Sequence, residues 1–356
     1  MTHSSIRVAL IGYGFSGKTF HAPLIRAIPG LELALVGSSD AAKVHADLPD
    51  ITVVANPLAA ATAADIDLVV IATPNDSHAP LADAALKAGK HVVVDKPFTL
   101  DLAEARALAA TAAMHDRLLA VFHNRRWDSD FLTVRKAIDD GFIGRVTHFE
   151  SHFDRFRPEV RDRWREGDGP GSGIWFDLGP HLLDQALQLF GVPDSITGNL
   201  ATLRDGGRSD DWAHVVLDYP CRRVVLQASM LVAGGSPRFI VHGDAGSMIK
   251  QGMDGQERQL LAGMTPGAAG WGEDDDALIV HDAEGGPREI GATAGDQRLF
   301  YHGIVDALHG RAPNPVPPVQ AIAVMACLEA AAKSARALRS VVPALSEAER
   351  AGYARG

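Results

Sequence analysis

An apolar run, VALIG at 8–12, leads directly into GYGFSGKT at 12–19, where two phosphate-binding patterns overlap. Gly12, Gly14 and Gly17 form G-x-G-x-x-G, the turn of a dinucleotide-binding unit, while Gly12, Gly17, Lys18 and Thr19 form G-x-x-x-x-G-K-T, the loop of a nucleotide hydrolase. Either reading demands a strand, a tight turn and a helix, and so an open α/β sheet. The first third of the chain follows suit. Strand-like runs at 7–12, 31–37, 67–73, 91–97 and 118–124 alternate with helix-like segments at 21–29, 77–89 and 100–115. Continuous Val, Ile and Leu runs joined by helical crossovers indicate parallel strands buried on both faces. The expectation is a doubly wound domain over residues 1–123.

From 124 to 356 the texture changes. Segments 127–140 and 174–191 read as helices, and 146–154, 214–220, 223–232 and 238–244 as strands without helices between them. Short turns link the later strands, the pattern of a largely antiparallel sheet. GAAGWGEDDDA at 267–277 reads as a polar surface loop. Helices at 296–309 and 318–338 close the chain, the latter placed to pack back on the first domain. The expected layout is a Rossmann domain and an α+β domain for substrate and oligomer contacts, with a cleft between them.

Composition narrows the function classes. A formal charge of −10 argues against a nucleic-acid surface, which needs clustered Lys and Arg. Cys221 and Cys327 lack C-x-x-C spacing, so neither a zinc site nor a disulfide framework is expected. No metal is expected. The residues before the first strand hold no apolar segment of signal-peptide length, and no run approaches the ~20 apolar residues of a membrane span. The expected address is the cytoplasm, with no membrane partner.

Three features favour the dinucleotide reading of 12–19. The strand runs straight into the turn, and the next strand ends about 20 residues beyond Gly17, as the dinucleotide unit requires. A hydrolase could take VVVD at 92–95 as its second motif, but Lys96 and Pro97 follow at once and would crowd a magnesium ion. No switch stretch bearing Arg or Gln is evident. Lys18 and Thr19 then become ordinary residues of a first helical turn.

Five stretches carry a wider resemblance: VALIGYGFSGKTFHAPLI, IATPNDSH (71–78), VVVDKPF (92–98), FHNRRWDSDF (122–131) and GIWFDLGPHLLDQ (173–185). Together they resemble the glucose–fructose oxidoreductase and inositol dehydrogenase family, Gfo/Idh/MocA, over nearly the whole chain. FHNRRWDSDFLT and HFDRFRPEVRDRWRE further resemble a subgroup that includes NADP-dependent inositol dehydrogenases. The resemblance implies a nicotinamide cofactor, a polyol substrate and no metal.

For the cofactor, an NAD site usually carries an acid at the end of the second strand, where it accepts the ribose hydroxyls and repels a 2′-phosphate. Here that position falls near Ser38, so Ser38 and Ser39, with Lys43 adding charge, favour NADP. Asp40 dissents: one slip of the strand end would make it the ribose acid and the cofactor NAD. SSD also reads as a helix N-cap. Phe15 and Ser16 complete the glycine turn. Thr73, Pro74, Asn75 and His78, then Asp95, Lys96, Pro97 and Asn124, line the cofactor by resemblance.

Oxidising a secondary alcohol needs a base and control of charge on the emerging carbonyl oxygen. Lys96 sits at a parallel strand's C-terminal end, where ligands of open α/β sheets bind. It matches the lysine of the family's E-K-P motif, with Asp95 where the family carries Glu. Asp177 and His181 are four apart, but Pro180 favours a first turn, so helix onset is expected near Gly179–Pro180. The resemblance makes His181 the acid/base and Asp177 the group that tunes it. Asp184 either supports them or faces solvent. Asn124, Arg125 and Arg126 either meet substrate hydroxyls or pin the domains. Asp154, Arg157, Trp164 and Arg165 are candidates for recognising a hydroxylated ring, or else an exposed charged loop. A free sheet face suggests a homodimer or homotetramer. The rival functions are a P-loop hydrolase and a sensor that binds NADP without chemistry.

Overall fold

The protein is described here from a computed structural model covering residues 5–282 and 285–354. The chain divides into two compact units, 1–124 with 256–271 and 296–321, and 125–255 with 272–295 and 322–356. The first unit therefore recruits two segments far away in sequence, which local periodicity had grouped with the second domain.

The first unit is built on six parallel strands. They are β1 (Ile6–Ile11), β2 (Leu31–Gly37), β3 (Thr52–Val54), β4 (Leu68–Ile71), β5 (His91–Val94) and β6 (Leu119–Val121). Their spatial order is β3-β2-β1-β4-β5-β6, so the order reverses at β1/β4. That is the doubly wound topology, whose ligands bind outside the strand C-termini at the reversal. Crossovers carry α1 (Ala22–Arg26), α2 (Ala41–Asp47), α3 (Pro57–Ala61), α4 (His78–Lys87) and α5 (Leu102–Met114). Every side chain of β4 is fully buried, which explains its unbroken LVVI run.

The second unit opens with α6 (Ser129–Asp139), β7 (Val146–Asp154) and α7 (Ile174–Phe190). Strands β8 (Ser195–Ala201), β9 (Trp212–Tyr219), β10 (Arg222–Ser229), β11 (Phe239–Gly243) and β12 (Gly246–Lys250) follow. Along the chain, α8 (Gln256–Leu261) and α9 (Arg298–Leu308) belong to the first unit, while β13 (Leu278–Asp282) and β14 (Arg288–Ile290) between them, most of α10 (Pro318–Ala337) and α11 (Glu347–Ala354) belong to the second. The eight strands run β14-β13-β12-β11-β7-β10-β9-β8, antiparallel except where β10 pairs parallel with β7. Helix α7 packs on β7, β9 and β10. Alternation along β7 and β9 puts Phe149, Phe153, Val215 and Leu217 under the helices.

Two expectations change. The segment 267–277 is more than a surface loop: Trp271 is buried and donates to Asp296 (3.1 Å), while Asp274 and Asp276 pair with the fully buried Lys250. The helix expected at 21–29 is reached through a π turn, Gly17–His21, before α1. Among the described residues no helix is long and apolar enough to cross a membrane.

Candidate active site

In the first unit, the three glycines do three different things. Gly12 has φ +98°, and a Cβ there would lie 2.6 Å from the Ala72 carbonyl oxygen. A Cβ on Gly17 would lie 2.1 Å from the Gly12 oxygen, so this position closes the turn onto the strand. Around Gly14 nothing lies within 4 Å, leaving the backbone open to an approaching group. Tight turn, open approach and close helix packing are what a pyrophosphate-binding turn needs, so the residues fit a dinucleotide. Phe15 is exposed at this turn. The triphosphate reading loses its lysine: Lys18 Nζ lies 2.7 Å from the Asp47 carboxylate, which also accepts from the Tyr13 hydroxyl at 3.3 Å.

At the end of β2, Ser38 is half-buried and Ser39 exposed. Asp40 is the N-cap of α2, its carboxylate accepting the Lys43 N–H at 2.9 Å while its own N–H bonds Ser38 Oγ. The acid that competed for the ribose is therefore engaged as a helix cap, and Lys43 is exposed beside it.

Thr73, Pro74 and Asn75 follow β4, with Ser77 donating to Thr73 Oγ1 at 2.7 Å. His78, expected to line the cofactor, is placed between the loops after β4 and β5. It is buried, with its ring nitrogens 2.9 Å from the Pro97 carbonyl and 3.0 Å from the Thr73 carbonyl. Burial holds its pKa below the ordinary histidine value, so it braces the loops after β4 and β5 as a neutral ring.

Asp95, Lys96 and Pro97 leave β5, the last two joined by a cis peptide. Asp95 is buried and accepts the Lys96 N–H at 2.7 Å. Burial opposes its ionisation, but His21, the Lys96 charge and the Ser16 hydroxyl outweigh it and hold the carboxyl well below the usual range. One carboxylate thus ties the glycine turn, through Ser16, to the peptide of Lys96. Behind it lie two fully buried residues not foreseen from the sequence: His21, 3.7 Å from Asp95, and Tyr301, whose hydroxyl is 2.6 Å from His21 Nδ1. Tyr301 is 280 positions from His21, so no local signal could pair them. Asn124 is buried at the start of a short 3₁₀ turn.

In the second unit, α7 begins at Ile174, where the spacing over 174–191 places it and not at the onset near Gly179–Pro180 that the proline favoured, and Pro180 lies inside it. The reason is a partner the local sequence cannot show. Asp210 accepts the Ile174 N–H on its backbone oxygen (2.7 Å) and the Trp175 N–H on its carboxylate (2.8 Å), completing a first turn upstream of the proline. Asp177 and His181 consequently stand on one helical face. Asp177 lies 3.4 Å from Arg155 and 3.6 Å from Arg165. His181 is 5% exposed and stacks on Phe153 with ring centroids 6.2 Å apart.

Asp184 supports the helix and does not face solvent: Arg126 grips it with two hydrogen bonds, 2.9 and 2.6 Å. Arg125 bonds Asp128 at 2.9 Å and lies over the Phe153 ring. The buried Arg238 joins Asp130, Ser151 and Gln185 beneath the same ring. Asp154 accepts from Ser236 at 2.8 Å, and burial raises its carboxyl pKa. Arg165 covers Trp164, which is 39% exposed. Arg157 is half-buried; burial, then the charges of Arg155, Arg161 and Arg163, lower its pKa. Those neighbours leave excess positive charge beside Asp177.

His148 and His152 have H-x-x-x-H spacing, but on strand β7 that separates their Cα atoms by about 13 Å. Both bond Glu150, at 2.7 and 2.9 Å. Among the described residues no cluster of His, Cys, Asp or Glu could hold a metal.

Two family profiles match this arrangement in order. Residues 6–123 match the oxidoreductase family's NAD-binding Rossmann fold, and 135–343 its C-terminal alpha/beta domain. The chain belongs to the Gfo/Idh/MocA oxidoreductase family. An uncharacterised oxidoreductase of Escherichia coli, YdgJ, is 54% identical over 93% of this chain and 97% of its own. The NADP(+)-dependent scyllo-inositol 2-dehydrogenase IolW of Bacillus subtilis is 34% identical over 95% and 96%. The crystal structure of an oxidoreductase from Klebsiella pneumoniae superposes with a TM-score of 0.94 at 60% identity, covering 99% of both chains. Family membership makes the chain an oxidoreductase whose Rossmann domain takes a nicotinamide dinucleotide.

Proposed function

We propose that this oxidoreductase uses NADP and acts on a secondary alcohol or ketone of a cyclitol or sugar-like polyol, scyllo-inositol being the first substrate to try. Residues 1–123 would bind the cofactor, and 124–356 the substrate. The observation that carries the reading is Asp177 and His181 on successive turns of one helix, in a chain whose Rossmann strand β5 is followed two residues on by Lys96. The preference for NADP rests on Ser38 and Ser39 at the end of β2, with Asp40 engaged as a cap, and on the relative named for NADP(+).

The nicotinamide supplies the hydride acceptor or donor when bound. Gly12, Gly14 and Gly17 would hold its pyrophosphate, and Ser38, Ser39 and Lys43 the 2′-phosphate. His181 takes the hydroxyl proton in oxidation and returns it in reduction. Lys96 hydrogen-bonds the reacting oxygen and stabilises its developing negative charge. Asp177 orients and keeps basic the imidazole, with Arg155 and Arg165 fixing its carboxylate. Arg157 and Trp164 are the side chains best suited to a polyol's hydroxyls and ring face.

Fluorescence titration of cofactor-free protein with NADPH and NADH, with magnesium–ATP as competitor, tests the cofactor. NADPH should bind more tightly than NADH, and Ser38→Ala with Ser39→Ala should narrow the gap. Tighter NADH binding would overturn the NADP assignment, and displacement by ATP alone would restore the hydrolase reading.

A further inference from the structure

Helix α7 lacks a cap from its own flank. Gly173, the residue before it, has φ +96° and no side chain, and the Ser172 hydroxyl turns back to the Gly169 carbonyl at 2.6 Å. Inside the helix, Pro180 has no N–H, so the Phe176 carbonyl loses its usual donor three residues after the first turn. A helix weakened at both places should fray toward Asp177 and His181 unless its start is held from elsewhere.

Asp210 is what holds it. Besides the two bonds to Ile174 and Trp175, its Oδ1 fills the space a Cβ on Gly173 would take, 2.2 Å from that position. The loop carrying Asp210 is itself fixed. Asp211 accepts from the N–H groups of Leu203 (2.8 Å) and Arg204 (3.1 Å) and from Arg204 Nε (2.9 Å). Arg204 also reaches Glu166 at 3.0 Å and the Arg157 carbonyl at 3.1 Å. The Gly173 N–H bonds the Arg165 carbonyl at 2.9 Å. The helix start, the arginine-bearing segment and the loop before β9 therefore form one frame.

We infer that Asp210 is a positioning residue of the reaction, whose carboxylate sets the first turn of α7 and thereby where Asp177 and His181 stand. This role rests on the reading of His181 as the acid/base. Burial, opposed by its backbone hydrogen bonds and aided by Asp211, raises the Asp210 carboxyl to about 6. The charged groups around it are Asp211, held by Arg204, and across the first turn Asp177 with Arg155 and Arg165. Because the folded value lies above the ordinary one, the native state binds this proton more tightly than the unfolded chain does. The charged cap therefore costs stability as pH rises from about 4 through 6. An Asn would not incur that cost, yet it would still offer an acceptor.

The test uses full-length Asp210→Ala and Asp210→Asn with two readouts. Amide hydrogen exchange over Ile174–His181 should quicken in Asp210→Ala by tenfold or more and return close to wild type in Asp210→Asn. In steady state with NADPH, Asp210→Ala should lose kcat about tenfold with NADPH binding unchanged, and Asp210→Asn should recover most of it. Asp210→Asn should also melt above wild type at pH 7 and converge with it near pH 4. Unchanged exchange in Asp210→Ala overturns the inference, as does quickened exchange with full kcat across the pH range. If wild type turns over no polyol, the functional reading fails instead, and the exchange data still decide whether Asp210 sets the helix start.

Discussion

At the scale of single residues, the proposed chemistry reduces to three side chains and the groups that hold them. Lys96 is fixed through its own peptide, whose N–H bonds the buried Asp95 carboxylate. His181 is fixed by its helix and by Phe153 beneath it. Asp177 lies between two guanidiniums, which hold its carboxylate in place. Positioned acid–base groups contribute roughly 10²–10⁴-fold. His181→Ala should therefore lower kcat by about that factor, and Lys96→Ala should do comparable damage. Asp177→Asn should cost less, since the amide still orients without its charge. In all three, fluorescence titration should show NADPH binding unchanged. Full turnover in all three variants would remove the mechanism. The glycine turn and the Lys96 position were legible in the sequence because both depend on immediate neighbours. His21, Tyr301 and Asp210 were not, because their partners lie far along the chain. The surroundings of His78 were hidden for a related reason: the sequence shows a histidine after a strand, but not the two carbonyls that enclose it.

At the scale of elements, α7 is held to the strand-and-turn framework of its own unit by the Arg126–Asp184 fork and by Gln185, which bonds the Arg125 carbonyl and Arg238. Removing one partner of a buried pair leaves the other charge unpaired and typically costs about 3–5 kcal/mol. Arg126→Ala should lower Tm by several degrees, whereas replacing both residues with a well-packed apolar pair should cost much less. A single and a double variant melting alike would show that the fork is not what anchors the helix. The long, strongly periodic elements were readable: β2, β7, α6 and the end of α7 fall where hydrophobic spacing places them. The sequence did not reveal β3, β12, β13 and β14, three to five residues each, because so few positions define no period. For the start of α7 the spacing over 174–191 held and the proline-based onset near Gly179–Pro180 failed, because proline is a local signal and the Asp210 cap is a tertiary one.

At the scale of the whole molecule, the proposed residues divide between the units: the glycine turn and Lys96, just beyond strand ends, lie in one, and Asp177 and His181, on α7, lie in the other. The family's two domains run in that order along the chain. The central claim is hydride transfer between a nicotinamide and a polyol carbon. It is tested most directly by incubating the protein with NADPH deuterated at the transferable position and a panel of inososes and ketoses, then analysing the products by mass spectrometry. The account predicts one deuterium on the new carbinol carbon of at least one cyclitol or sugar alcohol, and none with His181→Ala. Bound NADPH that passes deuterium to no polyol ketone in the panel would contradict it.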